Sequence, residues 1–352
     1  MIPSANHVFV CYGTLSFEAS RRISHELLAT QQDSSVVFLL MFAADESRLP
    51  AGVHVFRLPR PMRSYSAWAK PFAIARWFAE LLPSLQSLGP IVAYIAHPAE
   101  LPGNHFLFFG RSGDFVELLP DGIVNYFQRT LRPERLLGGL RYGLRIVAEV
   151  LAAHWYGLQY RPLWDGHLTQ YETGLYRASW AFNPQGYSTV SGTLKTLPHR
   201  STADVGPTNL PDPSGRMLFV DQELDEIVVP ATEQKMRRAL IGELQKRGAR
   251  EVLYKAHPRG KNRAADLAGN GFVVQDVSGP EAAEELVGHL SVEVVIGFYS
   301  TTLLLLSSSE VATRIGIFPE QRCSGIRRPR LVRSLRETLR CSGVQISCGE
   351  AC

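Results

Sequence analysis

The chain has 352 residues, 45% hydrophobic and 20% charged, an ordinary balance for soluble globular domains and long enough for two of them. Its formal charge is only +4, from 37 basic and 33 acidic side chains, so composition calls for no nucleic-acid partner. The first ten residues lack a basic n-region and a long apolar h-region, and no apolar run approaches the ~20 residues that span a bilayer. The expected location is therefore cytoplasmic, with any membrane contact made from the surface.

In chain order, His7 to Tyr12 reads as a buried strand, Gly13-Thr14 as a turn and Leu15 to Thr30 as a helix. Ser35 to Phe42 and Val53 to Leu58 are further strands. Trp68 to Leu88 has helical spacing, trimmed by Pro71 and Pro83. Ile91 to Ala96, Phe106 to Gly110 and Phe115 to Leu119 read as strands, and residues 133–160 as helical. Alternation of this kind points to a parallel sheet. Residues 188–215, rich in Ser, Thr, Pro and Gly, read as a long connection.

A second α/β unit follows. Met217 to Val220, Glu251 to Lys255, Phe272 to Val274, Val292 to Ile296 and Ile315 to Phe318 read as strands, the last closing the sheet. Thr232 to Arg247, Pro280 to Leu290, Thr301 to Ser307 and Pro329 to Arg340 read as helices. Pro280 and the acids after it suit a first helical turn. The units are expected at 1–200 and 201–352. Two Rossmann-like halves fit the α/β architecture called GT-B, but also a two-domain epimerase or dehydrogenase. No GxGxxG follows a strand, which disfavours a dinucleotide site.

Three short motifs could carry chemistry. Asp121-Gly122 follows a strand, where a carboxylate can take a proton from a hydroxyl; Asp-Gly is also a common plain turn. His257-Pro258 ends another strand. There an imidazole can donate to a phosphate oxygen, beside Lys255 and Arg259; a half-buried structural His fits the same residues. Ser300-Thr301-Thr302 follows a third strand and offers hydroxyls and backbone N–H groups to an anion, or a simple helix cap. Glu281 can meet a nucleotide or simply favour a helix dipole. Asp221-Gln222-Glu223 reads as a solvated strand end, and no DxD suited to a metal is present. A second His-Pro pair, His97-Pro98, with Asn104 and His105, could bind an acceptor sugar or simply form a loop.

Taken in order, an acid-Gly motif, then His-Pro, then Ser-Thr resembles the bacterial polysialyltransferases and related lipooligosaccharide sialyltransferases. Those proteins carry D/E-D/E-G, HP and S-S/T motifs on a GT-B scaffold. Asp121-Gly122, His257-Pro258 and Ser300-Thr301 match. Pro120 stands where the first acid of the family motif would be, and the stretch Asp121 to Tyr126 also looks like the family's. The resemblance implies a metal-independent, inverting transfer of sialic acid from CMP-Neu5Ac to a glycan or glycolipid, with no cofactor. It implies Asp121 as general base and His257 as the residue assisting departure of the phosphate. Pro258, Ser300, Thr301 and Glu281 would lie on the donor side, in the C-terminal unit. Asn104 and Asn125 would lie on the acceptor side, in the N-terminal unit. Alternatives are another CMP-activated acid sugar such as Kdo, a nucleotide-sugar epimerase, or a non-catalytic glycan-binding protein.

Two features complete the reading. From Arg314 to Arg340 eight arginines face two glutamates, and Leu331, Val332, Leu335 and Leu339 recur at helical spacing. Such a helix can lie on anionic lipid or pack its leucines on a core. The five cysteines, Cys11, Cys323, Cys341, Cys348 and Cys352, show no CxxC or zinc spacing and read as free thiols.

Overall fold

The structure is a computed structural model that describes residues 6–31, 34–120, 139–162, 175–181, 193–198, 215–225, 227–257, 260–279, 283–290, 292–306, 311–320 and 323–348. The chain forms two compact units. The boundary expected between residues 200 and 201 lies outside the described residues.

The first unit is built on seven strands: β1 (Asn6–Cys11), β2 (Val36–Leu40), β3 (His54–Arg57), β4 (Ile91–Ile95), β5 (Phe115–Leu118), β6 (Ala178–Ala181) and β7 (Thr193–Thr196). Their order is β3-β2-β1-β4-β5-β6-β7, and every neighbouring pair is parallel. β2 and β4 are buried along their whole length, and β1 from His7 onward. Continuous apolar runs of this kind belong to strands covered on both faces. Phe9 stacks on Tyr94 and Phe38 with ring centroids 4.3 and 5.1 Å apart, tying the three central strands together. The helices are α1 (Thr14–Thr30), α2 (Ala69–Ser87), α3 (Gly103–Phe109) and α4 (Gly139–Trp155), and α2 packs on α4.

The second unit has six strands: β8 (Arg216–Val220), β9 (Glu251–Lys255), β10 (Val273–Asp276), β11 (Val294–Gly297), β12 (Thr313–Phe318) and β13 (Gln345–Cys348). Their order is β10-β9-β8-β11-β12-β13, again all parallel. Its helices are α5 (Pro230–Lys246), α6 (Ala264–Ala268), α7 (Ala283–Leu290), α8 (Thr302–Leu305) and α9 (Pro329–Cys341).

Several elements differ from the sequence reading. The segment Phe106–Gly110, read as a strand, belongs to helix α3, which places Phe106 against Phe78 and His105 at centroid distances of 5.6 and 6.3 Å. Helix α2 runs through Pro83, which is exposed, instead of being trimmed there. β7 lies within the stretch read as a connection, and β13, not β12, forms the sheet edge.

The arginine-rich C-terminal helix turns its apolar face inward. Val332, Leu335 and Leu339 of α9 are buried, so these side chains belong to the core. Arg314 is also buried: its guanidinium donates to the carbonyls of Leu303 (3.1 Å), Leu306 (2.6 Å) and Ser342 (2.8 Å). Cys11, Cys341 and Cys348 are free thiols as read, whereas Cys323 is disulfide-bonded, which corrects the reading at that position. Among the described residues no helix is long and apolar enough to cross a membrane.

Candidate functional site

In each sheet the chain reverses its direction of growth at one point, between β1 and β4 in the first and between β8 and β11 in the second. The carboxyl ends of strands at such a reversal are where open α/β sheets take ligands.

In the second unit three adjacent strands, β9, β8 and β11, end at this edge. β9 leads to His257, which is half-buried, with its carbonyl accepting from Gly260 N at 2.8 Å. β11 leads through Phe298 and Tyr299 to Ser300, only 2% exposed, whose Oγ accepts from Thr302 N at 3.2 Å. Thr301 occupies the cap position of α8. His257 and Ser300-Thr301 therefore lie on the same edge of one sheet, flanking the end of β8. Lys255 is buried and donates to the carbonyl of Gly279 at 2.5 Å. Asp121, Asn125, Pro258 and Glu281 lie outside the described residues.

Between His257 and Ser300 stands a group the sequence reading treated as solvated. Asp221, directly after β8, is 1% exposed. Its Oδ1 accepts from Gln222 N (2.8 Å) and from Arg237 Nη1 (3.2 Å). Its Oδ2 accepts from the Tyr254 hydroxyl at 2.9 Å and lies 3.6 Å from Arg263 Nη1. Arg237 also binds Glu233 at 2.9 Å and covers the Phe298 ring at 5.3 Å. A buried carboxylate is tolerated because all of these donors converge on it. Glu223 accepts from Lys261 N at 2.8 Å and pairs with Arg263 at 3.4 Å. Burial alone would raise the Glu223 carboxyl, but these donors overrule it and hold it below the usual carboxylate range. The sequence signal for this cluster was an acid at a strand end. Its partners come from α5, β9 and the segment before α6, so their convergence is a tertiary fact. Among the described residues no group of three or more His, Cys, Asp or Glu is placed to hold a metal ion.

At the reversal in the first sheet, the Tyr12 hydroxyl donates to the Glu100 carbonyl (3.2 Å) and accepts from Gly103 N (3.1 Å). Its ring meets His97 edge-on at 5.4 Å. Asn104 is fully buried. Its Nδ2 donates to the carbonyls of Pro98 (2.9 Å) and Arg161 (2.8 Å), and its Oδ1 accepts from Arg161 N (2.8 Å). The Asn104 amide thus ties the His97-Pro98 loop to the segment after α4. Glu100 pairs with Lys70 at 2.9 Å and with Arg145. Burial would raise its carboxyl, but Lys70 and Arg145 hold it below the usual range.

No protein-family model matches the chain, and no curated protein matches it in sequence. Solved structures do. A Photobacterium damselae sialyltransferase fragment corresponding to the GT-B domain aligns with TM-score 0.55 and 12% identity, over 98% of this chain and 99% of that one. The α/β-galactoside α-2,3-sialyltransferase of the luminous marine bacterium Photobacterium phosphoreum aligns with TM-score 0.56 and 11% identity, over 98% and 99%. A further sialyltransferase structure from Photobacterium damsela gives TM-score 0.51 at 11% identity, over 97% and 81%. At such identities the likeness concerns the fold. With the two parallel sheets it establishes an α/β fold of the GT-B class.

Proposed function

We propose that the chain is a glycosyltransferase, and within that class an inverting, metal-independent sialyltransferase using CMP-Neu5Ac. The observation that carries this reading is the shared position of His257 and Ser300-Thr301, on either side of the buried Asp221 at the carboxyl edge of the second sheet. Imidazole and hydroxyl donors there suit a phosphate monoester leaving group, whose charge protein donors can meet without a divalent cation.

In this reading the acceptor hydroxyl oxygen attacks the anomeric carbon as the bond from that carbon to the CMP phosphate oxygen breaks. The bonding pair leaves with CMP. Asp121 takes the hydroxyl proton, and attack from the opposite face inverts the anomeric configuration. An N–H of His257 and the hydroxyls of Ser300 and Thr301 stabilise charge growing on the departing phosphate. Pro258 is assigned the role of restricting the chain after His257, and Glu281 that of a nucleotide-side contact. Asn125 is assigned to the acceptor, and Asn104 would act on the acceptor through the His97-Pro98 loop that its amide holds.

The test is CMP release from CMP-Neu5Ac in EDTA with a galactose-terminated or sialylated acceptor, with CMP-Kdo run in parallel. Release that needs acceptor and falls at least a hundredfold in Asp121→Ala and His257→Ala supports the reading. Turnover of CMP-Kdo alone would change the donor. Epimerisation of a UDP-sugar without acceptor would overturn the class.

A further inference from the structure

The segment that carries His257 is held at successive points. Ala256 N donates to Ser278 Oγ at 2.8 Å, and Ser278 N donates to Asp276 Oδ1 at 2.9 Å. On the returning side, Gly260 N closes onto the His257 carbonyl, Lys261 N is taken by Glu223, and Arg263 N donates to the Tyr254 hydroxyl at 2.9 Å. That hydroxyl in turn donates a hydrogen bond to Asp221 Oδ2. A Cβ on Gly260 would stand 2.7 Å from Glu223 Oε1 and 3.2 Å from His257 Cβ, so the return passes tightly between these two residues. Tyr299, from the strand end that leads to Ser300, donates to the Glu223 carbonyl. The carboxyl ends of β8, β9 and β11 are thereby joined by side chains.

We propose that Asp221 and Tyr254 are positioning residues for His257. The Asp221 carboxylate, fixed by Arg237 and Gln222 N, holds the Tyr254 hydroxyl. The hydroxyl holds Arg263 N, and with Glu223 this determines where the chain returns beneath His257. The buried position of Asp221 at the point where the sheet reverses is thus explained without contact to a ligand. Such indirect supports are as necessary to a site as the groups that touch substrate. This inference rests on the assignment of His257 to the donor phosphate.

The experiment uses the full chain and Tyr254→Phe, which keeps the ring and removes only the bridging hydroxyl, with Asp221→Asn as the stronger change. The readouts are the His257 imidazole resonances across a pH titration and the affinity for CMP. The expected result in Tyr254→Phe is a displaced His257 resonance and titration midpoint, CMP affinity lower by about tenfold, and an unchanged circular dichroism spectrum. Unmoved His257 resonances in a folded Tyr254→Phe protein overturn the proposal. Equal CMP affinity in wild type and His257→Ala overturns instead the assignment of His257 to the donor, since the resonance readout does not depend on CMP. If Asp221→Asn does not fold, Tyr254→Phe decides alone.

Discussion

Arg145 Nε stands 3.8 Å from Glu149 Oε1, and among the described residues no hydrogen bond reaches either Glu149 oxygen. The same guanidinium is engaged by Glu100, which Lys70 also neutralises. Burial, and then the charge of Glu100, push the Glu149 carboxyl up to about 7 from 4.5, while Arg145 and Lys70 pull the other way. The folded chain therefore holds a proton that the unfolded chain releases. Folding stability falls as pH rises through the window from 4.5 to about 7 and stays low above it. Glu149→Gln should be more stable than the native chain by up to about 3 kcal/mol near pH 8, the difference vanishing below pH ~4.5. Urea unfolding across this range checks it. A difference that does not change with pH would contradict the assignment. Glu100 acts in the opposite sense, its contribution being lost in acid as its depressed carboxyl protonates.

Arg314 fills the donor needs of three carbonyls at the end of α8 and after α9. Arg314→Met keeps much of the volume but leaves those carbonyls without the guanidinium. It should lower stability by about 3 kcal/mol, read from urea midpoints. Arg340→Met is the control. That side chain is exposed and, among the described residues, pairs with Glu337 alone, so the change should stay within about 0.5 kcal/mol.

Gly103 begins α3 beneath the His97-Pro98 loop. A Cβ there would lie 2.5 Å from the His97 carbonyl and 3.0 Å from the Tyr12 hydroxyl. Gly103→Ala should force the two apart and cost about 1–3 kcal/mol. Tyr12→Phe, which removes the bridging hydroxyl without a clash, should cost about 1 kcal/mol. Thermal unfolding of the two variants side by side separates crowding from the lost bond.

Ser300 tests whether its hydroxyl serves only the chain. Its Oγ accepts from Thr302 N, so Ser300→Ala should cost about 1 kcal/mol of stability as the loss of a local turn. If the hydroxyl also meets a phosphate, CMP affinity should fall by about tenfold in addition. Ser300→Thr, which keeps the hydroxyl, should retain most of both. Affinity that follows stability alone would reduce Ser300 to a cap.

How far the sequence spoke depended on the range of the forces involved. β2 and β4, and β1 beyond His7, announce themselves because a strand covered on both faces reads as a nearly continuous apolar run. Helix α3 differs from the strand expected there because Phe106-Leu107-Phe108-Phe109 is bulky and apolar like a strand, while in the fold Phe106 packs on Phe78 from a helix. β7 and β13 are edge strands with partly exposed side chains, so little apolar pattern marks them. At the site, His257 and Ser300 were visible because strand ends followed by polar residues are local features. Asp221 was not, because its burial depends on Arg237 and Tyr254, 16 and 33 residues away in the chain.

The central claim is that His257 and Ser300 meet the phosphate of a CMP-linked donor. Calorimetric titration of CMP in EDTA, into the native chain and into His257→Ala, tests it most directly. The account predicts saturable binding by the native chain and a loss of about tenfold or more in the variant. Absent binding, or equal affinity in both proteins, would contradict it.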